Sequence, residues 1–204
     1  MKECTTKNVY ESIKACPGQK TVPGIRRCIY FVSMYSVVTW PKLPKLGDEE
    51  VTKMESLSQL KGDFVLAADK FFQSIELKDK ASNVTFETVG NSGSKLFTNK
   101  ANAIVVGMPD EVKGFIRQAI DDKLIVVYQQ RDGKFCVLGN EDFPCETSGS
   151  GDTGSDPTNG DMTSTIALES YDECPVPTYT GKLPLSATEY LDCADGLVKK
   201  KAEV

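Results

Sequence analysis

Between Pro109 and Leu138 the chain runs from a helix pattern into an apolar strand, an Asp-Gly turn and a second strand with almost no spacer. That restricts the stretch to one compact helix-then-hairpin unit. Pro109 suits a first helical position, and Asp110 and Glu111 follow in the first turn. Val112, Phe115, Ile116, Ala119 and Ile120 recur at about 3.6-residue spacing. A single apolar stripe of this kind predicts a helix lying on a sheet. Leu124-Ile125-Val126-Val127-Tyr128 reads as a strand by its β-branched content, and Arg131-Asp132-Gly133 turns the chain into Lys134-Phe135-Cys136-Val137-Leu138-Gly139. The unit carries no catalytic residue set.

The rest of the chain repeats the strand theme. Strands are expected at about 26 to 33 and 35 to 40. Phe64-Val65-Leu66, Phe72 with Ile75 and Leu77, and Val84, Phe86 and Thr88 then suggest a strand followed by a hairpin or meander with one buried face. Asn91-Ser92-Gly93-Ser94 reads as a turn, and Lys95-Leu96-Phe97 leads to Ala103-Ile104-Val105-Val106-Gly107. Many short strands, turn-rich connections and one convincing internal helix predict a mainly β, α+β fold: an antiparallel β-sandwich or barrel with one packed helix. At 204 residues, 40% hydrophobic and 26% charged, the chain is long enough for one or two globular cores. One main β-rich domain at 22–182 is the simplest division. It is flanked by an N-terminal arm at 1–21 and a C-terminal arm at 183–204, with extended loops at 41–60 and 146–161.

The arms have local signals of their own. Val9, Tyr10, Ile13 and Lys14 stand at helical spacing before Cys16-Pro17-Gly18 breaks the pattern, and Ser186 and Glu189 stand at capping-box spacing before Tyr190, Leu191, Ala194 and Leu197. Two short helices are therefore expected there. Trp40-Pro41-Lys42-Leu43-Pro44-Lys45-Leu46-Gly47 reads as a rigid extended connection, because its prolines lack amide donors.

Charge and cysteine usage bound the function. Twenty-four basic against 29 acidic side chains give a net charge of −5, which argues against stable nucleic-acid binding. Lys199-Lys200-Lys201 and Arg26-Arg27 are local basic spots without interleaved aromatics. Met1–Asn8 lacks an apolar core, so no secretory signal is expected, and the longest apolar runs are strand-sized, which predicts no membrane association. The seven cysteines are an odd set, read as reduced thiols rather than a disulfide framework.

A longer pattern extends the central unit. After Val137-Leu138-Gly139 come Asp142-Phe143-Pro144, Thr153-Gly154, Asn159-Gly160, a strand around Thr165-Ile166-Ala167-Leu168, and Cys174-Pro175-Val176-Pro177-Thr178-Tyr179-Thr180-Gly181. Upstream stand Val22-Pro23-Gly24-Ile25-Arg26, Cys28-Ile29-Tyr30-Phe31-Val32 and Phe86-Glu87-Thr88-Val89-Gly90. This order, over about residues 20 to 181, resembles that of the tail tube and related tail structural proteins of bacteriophages, particularly phages of gut Bacteroides-type bacteria. The resemblance implies a non-enzymatic virion protein, made in the host bacterial cytoplasm, that assembles with its own copies into stacked hexameric rings. Such rings meet other phage tail proteins and pass DNA without specific binding. The resemblance also makes the arms and long loops the joints between subunits, with Leu43, Leu46, Tyr190 and Leu191 as contact residues. Head-tail adaptor and tail-completion proteins share this small β fold but form a single ring. Secretion-system tube proteins share it too, and a general bacterial binding module is a further alternative.

Other chemistries leave weaker traces. Asp152-Thr153-Gly154-Ser155 reproduces the Asp-Thr-Gly of aspartic proteases, yet Ser148-Gly149-Ser150-Gly151 precedes it where those enzymes have an apolar strand, so the segment reads as a mobile loop. A cytosolic protease using Asp152, with a second aspartate from a homodimer, is the less favoured alternative. Asp152, Asp156 and Asp161 lack the spacing and terminal glutamate of an EF-hand. With no histidine, no Cys-x-x-Cys pair and no phosphate-cradling glycine motif, neither a cofactor nor a metal is expected.

Overall fold

The computed structural model describes residues 9–18, 20–158 and 160–201. The sequence readings of Met1–Asn8, Cys4 and Asn159 lie outside them. In chain order the strands are β1 (Ile25–Ser33), β2 (Val37–Thr39), β3 (Gln59–Leu60), β4 (Val65–Leu66), β5 (Gln73–Glu76), β6 (Asn83–Val89) and β7 (Leu96–Val106). The helix α1 (Asp110–Ala119) follows, then β8 (Leu124–Gln130), β9 (Phe135–Leu138), β10 (Glu146–Asp152), β11 (Thr163–Asp172), β12 (Thr178–Tyr179), β13 (Lys182–Pro184), β14 (Glu189–Asp192) and β15 (Leu197–Lys200). The fold is mostly β with one α-helix among the described residues, the expected β-rich α+β class.

The sheets stack in layers around β8. A central six-stranded sheet has the order β3-β12-β9-β8-β1-β5, and a four-stranded sheet has the order β10-β11-β7-β6. Alternate residues of β8 serve opposite sides, as the two-residue period of a strand requires. Leu124, Val126 and Tyr128 join Ile29, Cys136 and Leu138 in a core shared with Ala101, Ala103, Val105, Ile166 and Leu168 of the four-stranded sheet. Ile125 and Val127 point the other way, into a second core with Phe135, Val137, Phe64, Phe72, Tyr179, Leu183 and Leu191. At roughly 1.5–3 kcal/mol per fully buried large aliphatic or aromatic side chain, these two layers are the main stabilising term of the fold.

Helix α1 packs as its stripe predicts. Val112, Phe115 and Ile116 lie against the first core, and the Phe31 and Phe115 rings meet edge-on at 4.8 Å. Pro109 is the cap residue rather than the first helical one, with ψ at 157°. Ile120, at the far end of the stripe, is exposed.

Several expectations fail. The C-terminal segment is no helix: β13, β14 and β15 form an antiparallel meander in which Leu183 pairs with Leu191. The Ser186 hydroxyl does accept the Glu189 amide at 3.0 Å, and also that of Thr188 at 3.2 Å. The serine that suggests a helix cap instead closes a hairpin turn, since the same short-range bond serves both motifs. Residues 9–16 hold no helix either, and Tyr10 and Ile13 are exposed. One short turn of pattern cannot offset the cost of nucleation. Residues 35–40 hold a 3-10 turn (Met34–Ser36) before β2. The 41–60 connection folds back on the domain, with Val51 wholly buried and Lys42 bridged to Lys61. Residues 146–152, read as mobile loop, are strand β10.

Candidate functional site: an open-edged sheet

The four-stranded sheet is assembled from strands of matched length. β7 carries β6 on one side in an unbroken seven-pair ladder from Asn83↔Asn102 to Val89↔Leu96, and β11 on the other from Thr163↔Val106 to Asp172↔Phe97. β10 completes it against β11, from Glu146↔Glu169 to Asp152↔Thr163. All neighbours are antiparallel, so the outer strands β6 and β10 run in opposite directions. Each has seven residues. Among the described residues no backbone hydrogen bond leaves the outer side of either strand, although Cys145, just before β10, exchanges both of its backbone bonds with Leu124 of β8 and closes that end of the edge. Unpaired amides and carbonyls in such a row are a template for another strand.

Glycine explains how β10 reaches its place. A side chain on Gly149 would meet Ile116 Cγ2 at 2.5 Å, and one on Gly151 would meet Met108 Cε at the same distance. The Ser-Gly alternation therefore keeps the strand's inner face clear for α1. Its polar composition resembles that of a loop, and the missing signal is the helix that covers it.

The sheet's two faces differ in chemistry. The inner one supplies Ala101, Ala103, Val105, Ile166 and Leu168 to the first core. The outer one presents Thr85, Asn102, Ser148, Ser150, Thr165 and neighbours, half-buried or exposed except for Thr98. Four carboxylates, Glu87, Glu146, Asp152 and Glu169, share this face with one lysine, Lys100. Glu87 and Glu169 lie 3.0 and 3.8 Å from the Lys100 ammonium. The Glu87 hydrogen bond, followed by the Glu169 charge, holds that ammonium above the usual lysine range. Lys123 pairs with Glu146 at 2.8 Å and draws its carboxyl below the usual range. The middle of the face is polar and acidic, while Val89, Leu96, Ile104, Val106 and Tyr171 add apolar surface toward its ends.

The sequence-predicted contact residues do not converge. Leu46 is exposed and Leu43 half-buried in the connection from β2 to β3. Tyr190 is half-buried, with the Lys182 ammonium 5.2 Å above its ring, and it lines a groove of about 760 Å³ with Phe64, Val65, Phe71 and Pro184. Leu191 is 3% exposed and belongs to the second core, so it is a packing residue and not contact surface. The 146–161 aspartates act separately. Asp152 accepts the Gly154 amide at 2.9 Å, Asp156 accepts that of Thr158 at 2.8 Å, and Asp161 pairs with Lys78. Among the described residues no group of three or more His, Cys, Asp or Glu side chains is arranged to hold a metal. Comparison of the chain with protein-family models, with curated proteins and with solved structures returned no match.

Proposed function

We propose that this protein is a structural subunit that joins copies of itself into stacked rings, forming the tail tube of a bacteriophage as a conduit for DNA. The observation that carries the reading is the four-stranded antiparallel sheet whose two outer strands are equal in length, opposite in direction and unpaired along their outer sides. With an even number of antiparallel strands, a neighbour related by rotation about an axis along the strands presents its β10 antiparallel to β6. Repeated joining extends the sheet without a parallel seam, and such a heterologous contact closes into a ring when the rotation closes.

The polar face suits the inside of that ring. Its inner counterpart is already committed to the hydrophobic core, so the outer face is the one left to line a lumen. The hydroxyl and amide side chains at the middle of the face offer phosphates little to grip, and the excess of carboxylates over Lys100 repels them. DNA would pass such a wall without stable binding.

Negative-stain electron microscopy and sedimentation over a concentration series test the proposal. Hollow tubes or stacked rings are expected. Isolated single rings would move the assignment to a head-tail adaptor or tail-completion protein, and a monomer at every concentration would overturn it.

A further inference from the structure

The joint itself can be specified residue by residue, resting on the assembly reading above. Phe86 lies at the middle of edge strand β6 and is 58% exposed. It pairs with Asn99, a buried residue, so its ring stands on the core side of the sheet, 6.3 Å from Phe97. Gly149 lies at the middle of edge strand β10, on the core side as well, because it pairs with buried Ile166. Ile116 of α1 sits over it.

We infer that the partner of β6 is the β10 of a second copy in one register, with Phe86 opposite Gly149 and Val84 opposite Gly151. In an antiparallel ladder directly opposed residues share a face, so this pairing sets two apolar side chains against two glycines. Ile116 and Met108 already lie over these glycines, so the incoming Phe86 and Val84 side chains would pack against the flanks of those two residues, with no Cβ of the facing strand in the way. The Phe86 ring would then reach the neighbour's Ile116, which already overhangs that glycine. The remaining pairs are compatible: Thr85 with Ser150, Glu87 with Ser148, Thr88 with Thr147. No two like charges stand directly opposed, and the ladder runs from Asn83 with Asp152 to Thr88 with Thr147, stopping where Lys123 and Leu124 already lie beside Glu146 and Cys145.

Alternative registers are worse for stated reasons. A one-residue slip would turn Phe86 and Gly149 to opposite faces. A two-residue slip in one direction puts Glu87 opposite Glu146, a repulsive pair. A slip in the other direction shortens the ladder by two pairs and moves Phe86 away from Ile116. The surface therefore encodes both its partner and its alignment.

Cysteine pairs read the register directly. In a background with Cys4 and Cys16 changed to serine, Thr85→Cys with Ser150→Cys is oxidised by copper phenanthroline at concentrations where the parent sediments as assemblies. The expected result is a ladder of covalent dimers and higher species, several-fold stronger than for Asn83→Cys or Glu87→Cys combined with Ser150→Cys, the pairs that slipped ladders would join. Phe86→Ala should raise the concentration needed for assembly by at least ~10-fold, as for a central aromatic anchor, and leave the monomer's melting temperature unchanged. Stronger cross-linking of a slipped pair overturns the register. So does intact assembly in which no pair cross-links, or an assembly threshold that Phe86→Ala does not move; these results leave ring formation itself standing. A parent that remains monomeric at every concentration overturns the assembly reading and this inference together.

Discussion

Truncating Leu191 tests whether the C-terminal meander belongs to the fold or merely hangs from it. Leu191 is 3% exposed, sits on the central strand of the meander and pairs with Leu183, which is wholly buried. Leu191→Ala removes buried methyl groups and opens a cavity between β14 and the central sheet. Such changes cost about 2–5 kcal/mol, and a value near ~3 is expected here because a three-stranded layer at the protein surface relaxes partly into the void. For a chain of this size each kcal/mol shifts the melting temperature by roughly 2–4 °C, so a fall of about 6–12 °C is expected. Trp40, the sole tryptophan, lies 6.0 Å from Phe64 within the same core and reports unfolding by fluorescence alongside circular dichroism. Leu197→Ala is the control: Leu197 is 60% exposed and should change stability by less than ~0.5 kcal/mol. Measurements belong at concentrations where the protein is monomeric, since assembly would itself raise the midpoint. A Leu191→Ala protein that melts with the wild type but fails to assemble would refute the packing argument and return Leu191 to the role of a contact residue.

Three further outcomes follow from buried polar groups. Tyr179 accepts the Phe64 amide at 3.1 Å and donates to the Lys182 carbonyl at 3.0 Å, so Tyr179→Phe leaves both backbone groups short of a partner and should cost about 1–3 kcal/mol by urea denaturation; an unchanged midpoint would mean that water replaces the hydroxyl. Burial pushes the Cys136 thiol up to about 11 and the Cys145 and Cys174 thiols up to about 12, and raises that of Cys193 as well. These four should react with a thiol reagent at pH 8 only after denaturation, while exposed Cys16 reacts at once; mass spectrometry of labelled native protein would expose an error. Burial also raises the Asp172 carboxyl, with the Asn140 side-chain amide and the Cys174 backbone amide partly opposing. The folded state then binds that proton more tightly than the unfolded one, so this contribution is fully present below the ordinary aspartate range near ~4 and is lost as pH rises through the raised value. Asp172→Asn should flatten the stability profile in that window, and an unaltered slope would count against the assignment.

Legibility in the sequence followed how local each signal is. Helix α1 and the β8–β9 hairpin carry their periodicity and turn chemistry within a short window, and both form where the residues place them. The β-rich class was legible for the same reason. The Ser186–Glu189 spacing misled because a hydroxyl-to-amide bond over three residues does not distinguish a helix start from a hairpin turn. β10 was invisible as a strand because its glycines answer to Ile116 and Met108, which are distant in sequence. That an open sheet would need a partner is legible from the many short strands, but which strands form its edges is not, since an edge is defined by what does not pair with it and no single strand carries that information. Tyr190 and Leu191 looked equally exposed on a helical reading, and the strand period separates them.

The placement of β12 has a kinetic consequence. Thr178 and Tyr179 slot between Gln59–Leu60 on one side and Phe135–Cys136 on the other, so the central sheet joins segments from early, middle and late parts of the chain. A nascent chain still lacking Tyr179 has β9 bare along one side and Phe64 without the tyrosine ring and hydroxyl that pack against it. Its second core then waits for Leu183 and Leu191. Closure of so many distant contacts is slow, and it cannot be completed before Leu191 has been made. Until then the same strand edges that would later recruit a copy of the protein are available to any other chain, so the order of events, folding first and assembly second, must be kept by the rate at which β12, β13 and β14 arrive.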